Sequence, residues 1–153
     1  MKVLITGSNG FVGKNLLAHL KERSDLEVIT FTRDDSIAEL FSLVAKVDFI
    51  FHLAGVNRPD RVQDFELGNI QLTHKLCDAI VASGRPIPVL YTSSSQVELD
   101  NPYGNSKRGA ELVLEELSAT HGSAVHVFRL PNVFGKWARP AYNSVVATFC
   151  YNT

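Results

Sequence analysis

Short apolar runs alternate with longer amphipathic stretches along the chain. The runs are rich in β-branched and aromatic residues and end in glycine or small polar residues, which is typical of buried strands in a parallel sheet. The stretches between them repeat apolar residues at the spacing of one helix face. The predicted strands cover residues 2–5, 26–31, 48–53, 88–92 and 124–130, and the predicted helices cover residues 11–22, 37–45, 65–83, 103–120 and 143–151.

Strands that alternate with helices predict right-handed crossovers and a parallel sheet covered on both faces. The expected fold class is therefore α/β, a Rossmann-like doubly wound sheet of about five strands. We expect residues 1–153 to form one domain, since the length suffices for a full core and no linker interrupts it. The last predicted helix has four apolar residues, Val145, Val146, Phe149 and Cys150, which are expected to be buried, but no further element follows to cover them. We therefore expect the chain to be truncated at its C-terminus.

Composition and charge exclude several classes of partner. Apolar residues make up 45% of the chain, and the formal net charge is −1, which predicts neither nucleic acid nor a membrane as a partner. Residues 1–7 begin a strand and lack the features of a secretion signal. Cys77 and Cys150 stand in apolar, helix-like segments without paired spacing. We therefore expect two buried thiols, no metal site and a cytoplasmic location.

A glycine loop joins the first predicted strand to the first predicted helix. Gly7, Gly10 and Gly13 follow Thr6 at intervals of three residues. Glycines are needed where the backbone turns tightly and approaches a pyrophosphate, and the helix N-terminus then offers free N–H groups to the phosphates. A plain strand-to-helix turn needs one glycine rather than three in register, so the loop indicates dinucleotide binding.

The end of the second predicted strand indicates which dinucleotide is bound. NAD enzymes of this fold place an acidic residue there, which binds the ribose 2′-hydroxyl. Here the strand is followed by Thr32 and Arg33, and an arginine suits a 2′-phosphate through forked, charge-assisted hydrogen bonds. We therefore expect NADP(H). Asp34 and Asp35 are the competing candidates if the strand ends one residue later.

A tyrosine and a lysine four residues apart open the helix after the fourth strand. Asn101 is a good N-cap and Pro102 suits the first helical position, which places Tyr103 and Lys107 on one face of the first turns. A nearby ammonium is expected to lower the phenol pKa towards neutrality. A solvent-facing pair is the alternative interpretation, which the preceding glycine loop disfavours.

Three serines follow the fourth strand. A serine there can donate a hydrogen bond to a substrate carbonyl, although serines are also ordinary turn residues. Ser93, Ser94 and Ser95 all remain candidates from position alone.

Together the glycine loop and the Tyr-x-x-x-Lys segment resemble the extended short-chain dehydrogenase/reductases. The resemblance selects Ser94 from the three serines, because the family's catalytic hydroxyl lies three residues before a valine such as Val97. It also implies that Asn69 completes a tetrad with Ser94, Tyr103 and Lys107. The remaining cofactor contacts that the resemblance implies are Asn9, Phe11, Val12, Leu53, Ala54, Gly55 and Pro131.

Longer segments resemble the N-terminal domain of reductases from capsular polysaccharide and O-antigen synthesis. These segments are residues 54–59, 100–104, 134–137 and 142–144. The resemblance implies NADPH-dependent reduction of the 4-keto group of a UDP-2-acetamido-2,6-dideoxyhexose, a UDP-linked 4-keto-6-deoxy amino sugar, and a homodimer in the full-length protein. It implies substrate binding by Arg58, Asn132 and Lys136.

Two departures from the family pattern limit these expectations. Residues 32–47 leave room for one short crossover where relatives fit an additional strand. The reductases also continue past position 153 into the rest of the sugar-nucleotide site and a metal-binding cupin domain. We therefore expect this chain to hold the cofactor half of a site and to have little activity alone.

Two other functions are compatible with a glycine loop of this kind. A nucleotide-sugar 4-epimerase or 4,6-dehydratase would retain NAD, and Arg33 argues against both. A dehydratase also places an Asp-Glu pair where this chain has Ser95 and Gln96. A non-catalytic dinucleotide-binding domain is the second alternative. Such domains tend to lose the tyrosine or the lysine, and this chain retains Tyr103 and Lys107.

Overall fold

A computed structural model describes residues 1–142 and 144–153. Its sheet has five parallel strands in the order β2-β1-β3-β4-β5. The strands are β1 (Lys2–Thr6), β2 (Glu27–Phe31), β3 (Phe49–His52), β4 (Val89–Ser94) and β5 (Val125–Leu130). The predicted doubly wound α/β sheet of five strands is confirmed. The strand order reverses between β1 and β3, which is where ligands bind in open sheets of this kind.

Helices fill the crossovers between the strands. They are α1 (Phe11–Leu20), α2 (Ile37–Val44), α3 (Gln63–Phe65), a π-helical segment (Glu66–Gln71), α4 (Leu72–Ala82), a 3₁₀ turn (Ser95–Glu98), α5 (Pro102–His121) and α6 (Val145–Asn152). The helix predicted over 65–83 is therefore three consecutive helical segments. The predicted start of the last helix, Asn143, lies outside the described residues.

Right-handed crossovers decide which face each helix covers. The chain moves one way from β1 to β2 and the other way from β2 onwards, so α1 covers one face of the sheet and α2, α4 and α5 cover the other. Those three helices lie side by side, with α4 between the other two. Their apolar side chains form the main core with the sheet. Representative buried members are Leu4, Ile50, Val89, Leu40, Leu76, Ile80 and Leu114.

Helix α5 begins as its sequence predicts. Asn101 is the N-cap and its Oδ1 accepts a hydrogen bond from the Gly104 amide at 2.8 Å, while Pro102 is the first helical residue. This cap fixes the register of the first turn, which contains Tyr103.

The prediction for Cys150 was wrong. Cys77 is buried and burial raises the pKa of its thiol to about 12, but Cys150 is exposed. The apolar side chains of α6 that were expected to be buried, Val145, Val146 and Phe149, are also exposed. The physical reason is that α6 has no packed layer over its apolar side chains among the described residues. No helix of the described residues is long and apolar enough to cross a membrane.

Candidate active site

Most of the predicted site residues lie at the carboxyl edge of the sheet. Thr6 and Ser94 are the last residues of β1 and β4, and Leu53 and Pro131 directly follow β3 and β5. Because the strands are parallel, these ends meet along one edge, beside the point where the strand order reverses.

The glycine loop is packed too closely for side chains. Gly7 has a φ of +72°, and a Cβ there would lie 2.7 Å from the backbone of Ala54. A Cβ on Gly13 would overlap the carbonyl oxygen of Gly7 and lie 2.7 Å from the Cα of Ser8. The loop therefore holds β1, α1 and the end of β3 together at van der Waals contact.

The start of α1 suits a dinucleotide diphosphate. Its N-cap is Gly10, which has no side chain to bond the first amides of the helix. The amides of Phe11, Val12 and Gly13 thus lie at a positive helix end without a side-chain cap. Asn9 is exposed beside them. A glycine N-cap next to tightly packed glycines is the cradle that a diphosphate requires.

The residues after β2 favour Arg33 over Asp35. The strand ends at Phe31 as predicted, and its carbonyl accepts a hydrogen bond from the Gly7 amide at 3.0 Å. The carboxylate of Asp35 turns back and accepts hydrogen bonds from the Thr32 amide at 2.7 Å and from the Thr32 hydroxyl at 2.9 Å. Arg33 and Asp34 are exposed. Arg33 is thus an exposed cation close to the glycine loop.

Tyr103 lies against Ser94 at the carboxyl edge. Burial raises the pKa of the Tyr103 phenol, and the nearby Ser94 hydroxyl lowers it, with burial the larger effect. The Tyr103 ring packs on Phe65, with ring centroids 5.9 Å apart. Of the three candidate serines, Ser94 is the one whose hydroxyl is a hydrogen-bond neighbour of the Tyr103 phenol.

The expected lowering of the Tyr103 pKa is wrong for this structure. The Lys107 ammonium makes its hydrogen bonds elsewhere, to the hydroxyl of Tyr91 at 3.2 Å and to the carbonyl of Thr92 at 2.9 Å. Burial of Tyr103 then determines the direction of the shift, which is upward.

Lys107 is a buried cation. The residue is 5% exposed, and burial lowers the pKa of its ammonium to about 8 despite the opposing charge of Glu111. The Nζ atom also lies 4.7 Å from the centroid of the Tyr91 ring. A Cβ on Gly55 would stand 3.2 Å from Nζ, so the glycine leaves room for the ammonium to face the edge of the sheet.

Asn69 is buried in the π-helical segment and fastens the loop after β3. Its Oδ1 accepts a hydrogen bond from the Val56 amide at 2.8 Å, and its Nδ2 donates to the Val56 carbonyl at 2.9 Å and to the Ser106 hydroxyl at 2.8 Å. Ser106 precedes Lys107 in α5. Asn69 thus connects the loop after β3 to α5. Its Oδ1 and the Lys107 Nζ both lie beside Gly55, while Tyr103 lies against Ser94.

A cavity of about 460 Å³ lies next to the 3₁₀ turn that follows Ser94. Arg58 and Asn132, two of the three predicted substrate residues, line it together with Gln96. The Arg58 guanidinium lies 5.3 Å from the ring centroid of Tyr142, whose hydroxyl donates to Asn57 Oδ1 at 2.7 Å. The cavity thus contains one cation and several neutral polar groups.

The structure does not place Lys136 in this cavity. Its Nζ lies 4.6 Å from the centroid of the Trp137 ring, and its carbonyl accepts a hydrogen bond from Asn15 Nδ2 at 2.8 Å. Lys136 therefore stands beside α1, next to the glycine loop. Among the described residues, no group of three or more His, Cys, Asp or Glu side chains could hold a metal ion.

Sequence reasoning missed two contacts of this region. Tyr91 is a hydrogen-bond partner of Lys107, and the alternation of side chains along β4 is the signal that could have found it, because Tyr91 faces the helices. Tyr142 belongs to a segment that carries the resemblance, but its packing on Arg58 spans a sequence separation that no local pattern reveals.

Comparisons with known proteins agree with this geometry. The model of the NAD dependent epimerase/dehydratase family matches residues 3–152. A relative from Pseudomonas aeruginosa, UDP-2-acetamido-2,6-beta-L-arabino-hexul-4-ose reductase, is 60% identical over 152 residues, which make up 99% of this chain and 41% of the relative.

Solved structures share the fold. Capsular polysaccharide assembling protein CapF from Staphylococcus aureus matches with a TM-score of 0.86 at 45% identity, over 99% of this chain and 41% of that chain. UDP-glucuronic acid 4-epimerase from Bacillus cereus, solved with NAD, matches with a TM-score of 0.83 at 20% identity, over 99% of this chain and 64% of that chain. The second likeness concerns the fold alone. This chain spans 41% of the length of the reductase and of CapF.

Proposed function

We propose a function from the premise that this chain belongs to the NAD dependent epimerase/dehydratase family. The chain forms the NADPH-binding part of a reductase that acts on the 4-keto group of a UDP-2-acetamido-2,6-dideoxyhexose in capsular polysaccharide or O-antigen synthesis. The observation that carries the proposal is the meeting of Ser94, Tyr103 and Lys107 at the carboxyl edge, in a chain 60% identical to a reductase of such a substrate. Because the chain spans 41% of that relative, turnover belongs to the whole protein.

The glycine loop and Arg33 support NADPH as the cofactor. The uncapped start of α1 fits the diphosphate, and the exposed guanidinium of Arg33 suits a ribose 2′-phosphate. Asp35 is less suited to a ribose hydroxyl, because its carboxylate already accepts two hydrogen bonds from Thr32. When bound, NADPH supplies the hydride for carbonyl reduction.

Tyr103 acts as the general acid. Its raised pKa keeps the phenol protonated at neutral pH, which is the form needed to donate a proton to a carbonyl oxygen that gains negative charge. Ser94 donates a hydrogen bond to the same oxygen, since its hydroxyl lies beside the phenol at the end of β4.

Lys107 supplies positive charge behind the phenol. With a pKa of about 8, its ammonium is mostly protonated at neutral pH, and it faces the gap that Gly55 leaves open. From there it can bind the ribose of the cofactor. Asn69 holds the Val56 loop and α5 in place around it.

The cavity lined by Arg58 and Asn132 supports a sugar nucleotide as the substrate. A guanidinium in the lining of the cavity suits a diphosphate, and the amide groups of Gln96 and Asn132 suit sugar hydroxyls. Lys136 stands outside this cavity, beside α1, so no contact with the substrate is proposed for it. A dehydratase is less well supported, because Ser95 and Gln96 offer no acid and base pair.

The test measures reduction in a chimera. This chain replaces the matching segment of the P. aeruginosa reductase, which supplies the remaining length of the protein, and NADPH oxidation is followed with the UDP-linked 4-keto sugar. We expect Tyr103→Phe to keep the ring packing on Phe65 and to lower kcat by roughly 10²- to 10⁴-fold. Ser94→Ala should also lower kcat, whereas the matched control Ser95→Ala, on an exposed neighbour, should not.

The outcomes separate the candidate functions. NADPH binding without turnover in a folded chimera would favour a non-catalytic dinucleotide-binding domain. Turnover that survives Tyr103→Phe would remove the phenol from its proposed role. An absence of turnover with the 4-keto sugar, together with conversion of a 4-hydroxy sugar nucleotide in the presence of NAD, would favour an epimerase or dehydratase.

A further inference from the structure

His52 stands at the centre of a chain of buried hydrogen bonds that runs behind the active site. It is the last residue of β3 and is 1% exposed. Its Nδ1 lies 2.8 Å from the Thr6 hydroxyl and its Nε2 lies 3.0 Å from the Thr73 hydroxyl. Thr6 directly precedes the glycine loop, and Thr73 lies in the first turn of α4, one helical turn after Asn69.

The direction of every bond in this chain is fixed by its two ends. The Thr73 hydroxyl lies 2.6 Å from the Asn69 carbonyl, which can only accept, so the single hydroxyl proton of Thr73 is donated there. Thr73 must then accept the Nε2–H of His52. At the other end, the Ala54 amide donates to the Thr6 hydroxyl at 3.2 Å.

A neutral ring completes this pattern. With its proton on Nε2, His52 presents Nδ1 as an acceptor, and Thr6 donates its hydroxyl proton to it. Burial, together with the charge of Lys107, lowers the pKa of His52 to about 3, so the ring carries one proton at neutral pH. Four hydrogen bonds then point the same way, from the Ala54 amide to the Asn69 carbonyl.

We propose that His52 is a positioning residue which, as the neutral Nε2–H tautomer, ties the glycine loop at Thr6 to the segment that carries Asn69. The position of the cofactor loop is thereby fixed relative to that of the tetrad. The Tyr91 ring stacks on the His52 ring, with the two ring centroids 5.4 Å apart. The importance of this tie for turnover rests on the proposed function, but its existence does not.

The first test reads the tautomer directly. In this chain labelled with ¹⁵N-histidine, NMR should show His52 with a protonated Nε2 and an unprotonated Nδ1, unchanged between about pH 5 and pH 8. A neutral ring with its proton on Nδ1 would overturn the proposal, because Nε2 would then be an acceptor and Thr73 would have to donate to two acceptors. A ring that titrates in this range would also overturn it, because the charged ring has no Nδ1 lone pair to accept the Thr6 proton.

The second test removes the hydrogen bonds of the Thr73 hydroxyl to His52 and to the Asn69 carbonyl. Thr73→Val removes the hydroxyl without changing side-chain shape, and Thr73→Ser is the matched control that retains it. In the valine variant we expect the Ala54 amide to exchange with solvent about tenfold faster relative to the Ile5 amide in β1, whereas the serine variant should stay within about threefold of the parent. Unchanged protection of Ala54 in the valine variant would overturn the proposal.

The third readout concerns catalysis in the chimera. Thr73→Val should lower kcat by roughly tenfold with little change in the KM for NADPH, and Thr73→Ser should restore it, because misplacement of reacting groups acts on kcat. An unchanged kcat alongside faster Ala54 exchange would overturn the positioning role. If the parent chimera binds NADPH but has no reductase activity, the proposed function fails, while the tautomer and exchange measurements still decide on the tie.

Discussion

The carboxylate of Glu111 in α5 accepts two hydrogen bonds from the guanidinium of Arg129 in β5, from Nε at 3.0 Å and from Nη2 at 2.8 Å. The bidentate pair joins the helix that carries Tyr103 and Lys107 to the strand that precedes Pro131. It therefore fixes the distance between the catalytic helix and the chain that leads to the cavity.

We expect Glu111→Gln to destabilise the fold. Burial alone would raise the pKa of Glu111, but hydrogen bonds, chiefly from Arg129, lower it to about 2. Loss of the charge should lower the free energy of unfolding by about 2 kcal/mol at pH 7, less than for a fully buried pair because the Arg129 side chain is 42% exposed. The measurement is urea unfolding followed by circular dichroism.

The pH dependence and a matched control sharpen this prediction. The Glu111 pKa is lower in the folded chain than in the unfolded chain, so its contribution is present above about pH 4.5 and is lost as the pH falls towards 2. The difference in free energy of unfolding between the parent and Glu111→Gln should therefore disappear over that range.

Glu115→Gln is the matched control. It removes an exposed carboxylate that pairs with Arg108, and it should lower the free energy of unfolding by less than about 0.5 kcal/mol. Equal effects of the two variants would contradict the account.

Lys107 is expected to destabilise the fold at neutral pH and yet to be required for turnover. Because burial lowers its pKa to about 8, the folded chain holds the ammonium less favourably than water does. We expect Lys107→Met to raise the free energy of unfolding by about 1–2 kcal/mol at pH 7, after the loss of its hydrogen bonds to Tyr91 and Thr92, and to abolish turnover.

The pH effect of Lys107 has the same sign as that of Glu111 but falls in a different pH range, because both pKa values are lower in the folded chain than in the unfolded chain. Between about pH 8 and pH 10.4 the unfolded chain binds more protons at this lysine than the folded chain does, so the stability of the parent should rise with pH there. The advantage of the methionine variant should therefore shrink in that range. A less stable variant at pH 7, or a gap independent of pH, would be inconsistent with a destabilising buried ammonium.

Two glycines of the loop should respond differently to alanine. A Cβ on Gly13 would meet the backbone of Gly7 and Ser8, which cannot move aside, so Gly13→Ala should destabilise the fold by several kcal/mol, roughly as overpacking does. A Cβ on Gly10 would lie 3.2 Å from the Gly7 carbonyl oxygen, a much milder contact. Gly10→Ala should thus fold but bind NADPH more weakly, because the methyl group enters the phosphate cradle. Thermal unfolding and a binding titration on both variants distinguish the two effects.

The fold was accessible from the sequence because its signals are local. Apolar runs that end in glycine or polar residues marked all five strands, and the Asn101 and Pro102 cap marked the start of α5. The resemblance to extended short-chain dehydrogenase/reductases and to the capsular polysaccharide reductases is confirmed by the family match and by the relatives. It rested on motifs that keep their spacing along the chain.

Features that depend on tertiary contacts were not accessible. The π-helical segment forms around Asn69, whose bonds to Val56 come from another loop, so helix periodicity predicted one continuous helix there. The upward shift of the Tyr103 pKa depends on burial, and the hydrogen bonds of Lys107 depend on Tyr91 in β4. Spacing along one helix shows which side chains share a face, but it does not show which residues of other elements form hydrogen bonds with them.

The most direct test of the account is a titration of this chain with NADPH and with NADH, followed by nicotinamide fluorescence. We expect NADPH to bind at least about tenfold more tightly than NADH, and Arg33→Ala to remove that preference without weakening NADH, since a charge-assisted bond to the 2′-phosphate contributes about 1.5–3 kcal/mol. Asp34→Ala is the matched control on the exposed neighbour and should preserve the preference. Binding of neither dinucleotide by a chain that circular dichroism shows to be folded, or a preference for NADH, would contradict the proposed cofactor site.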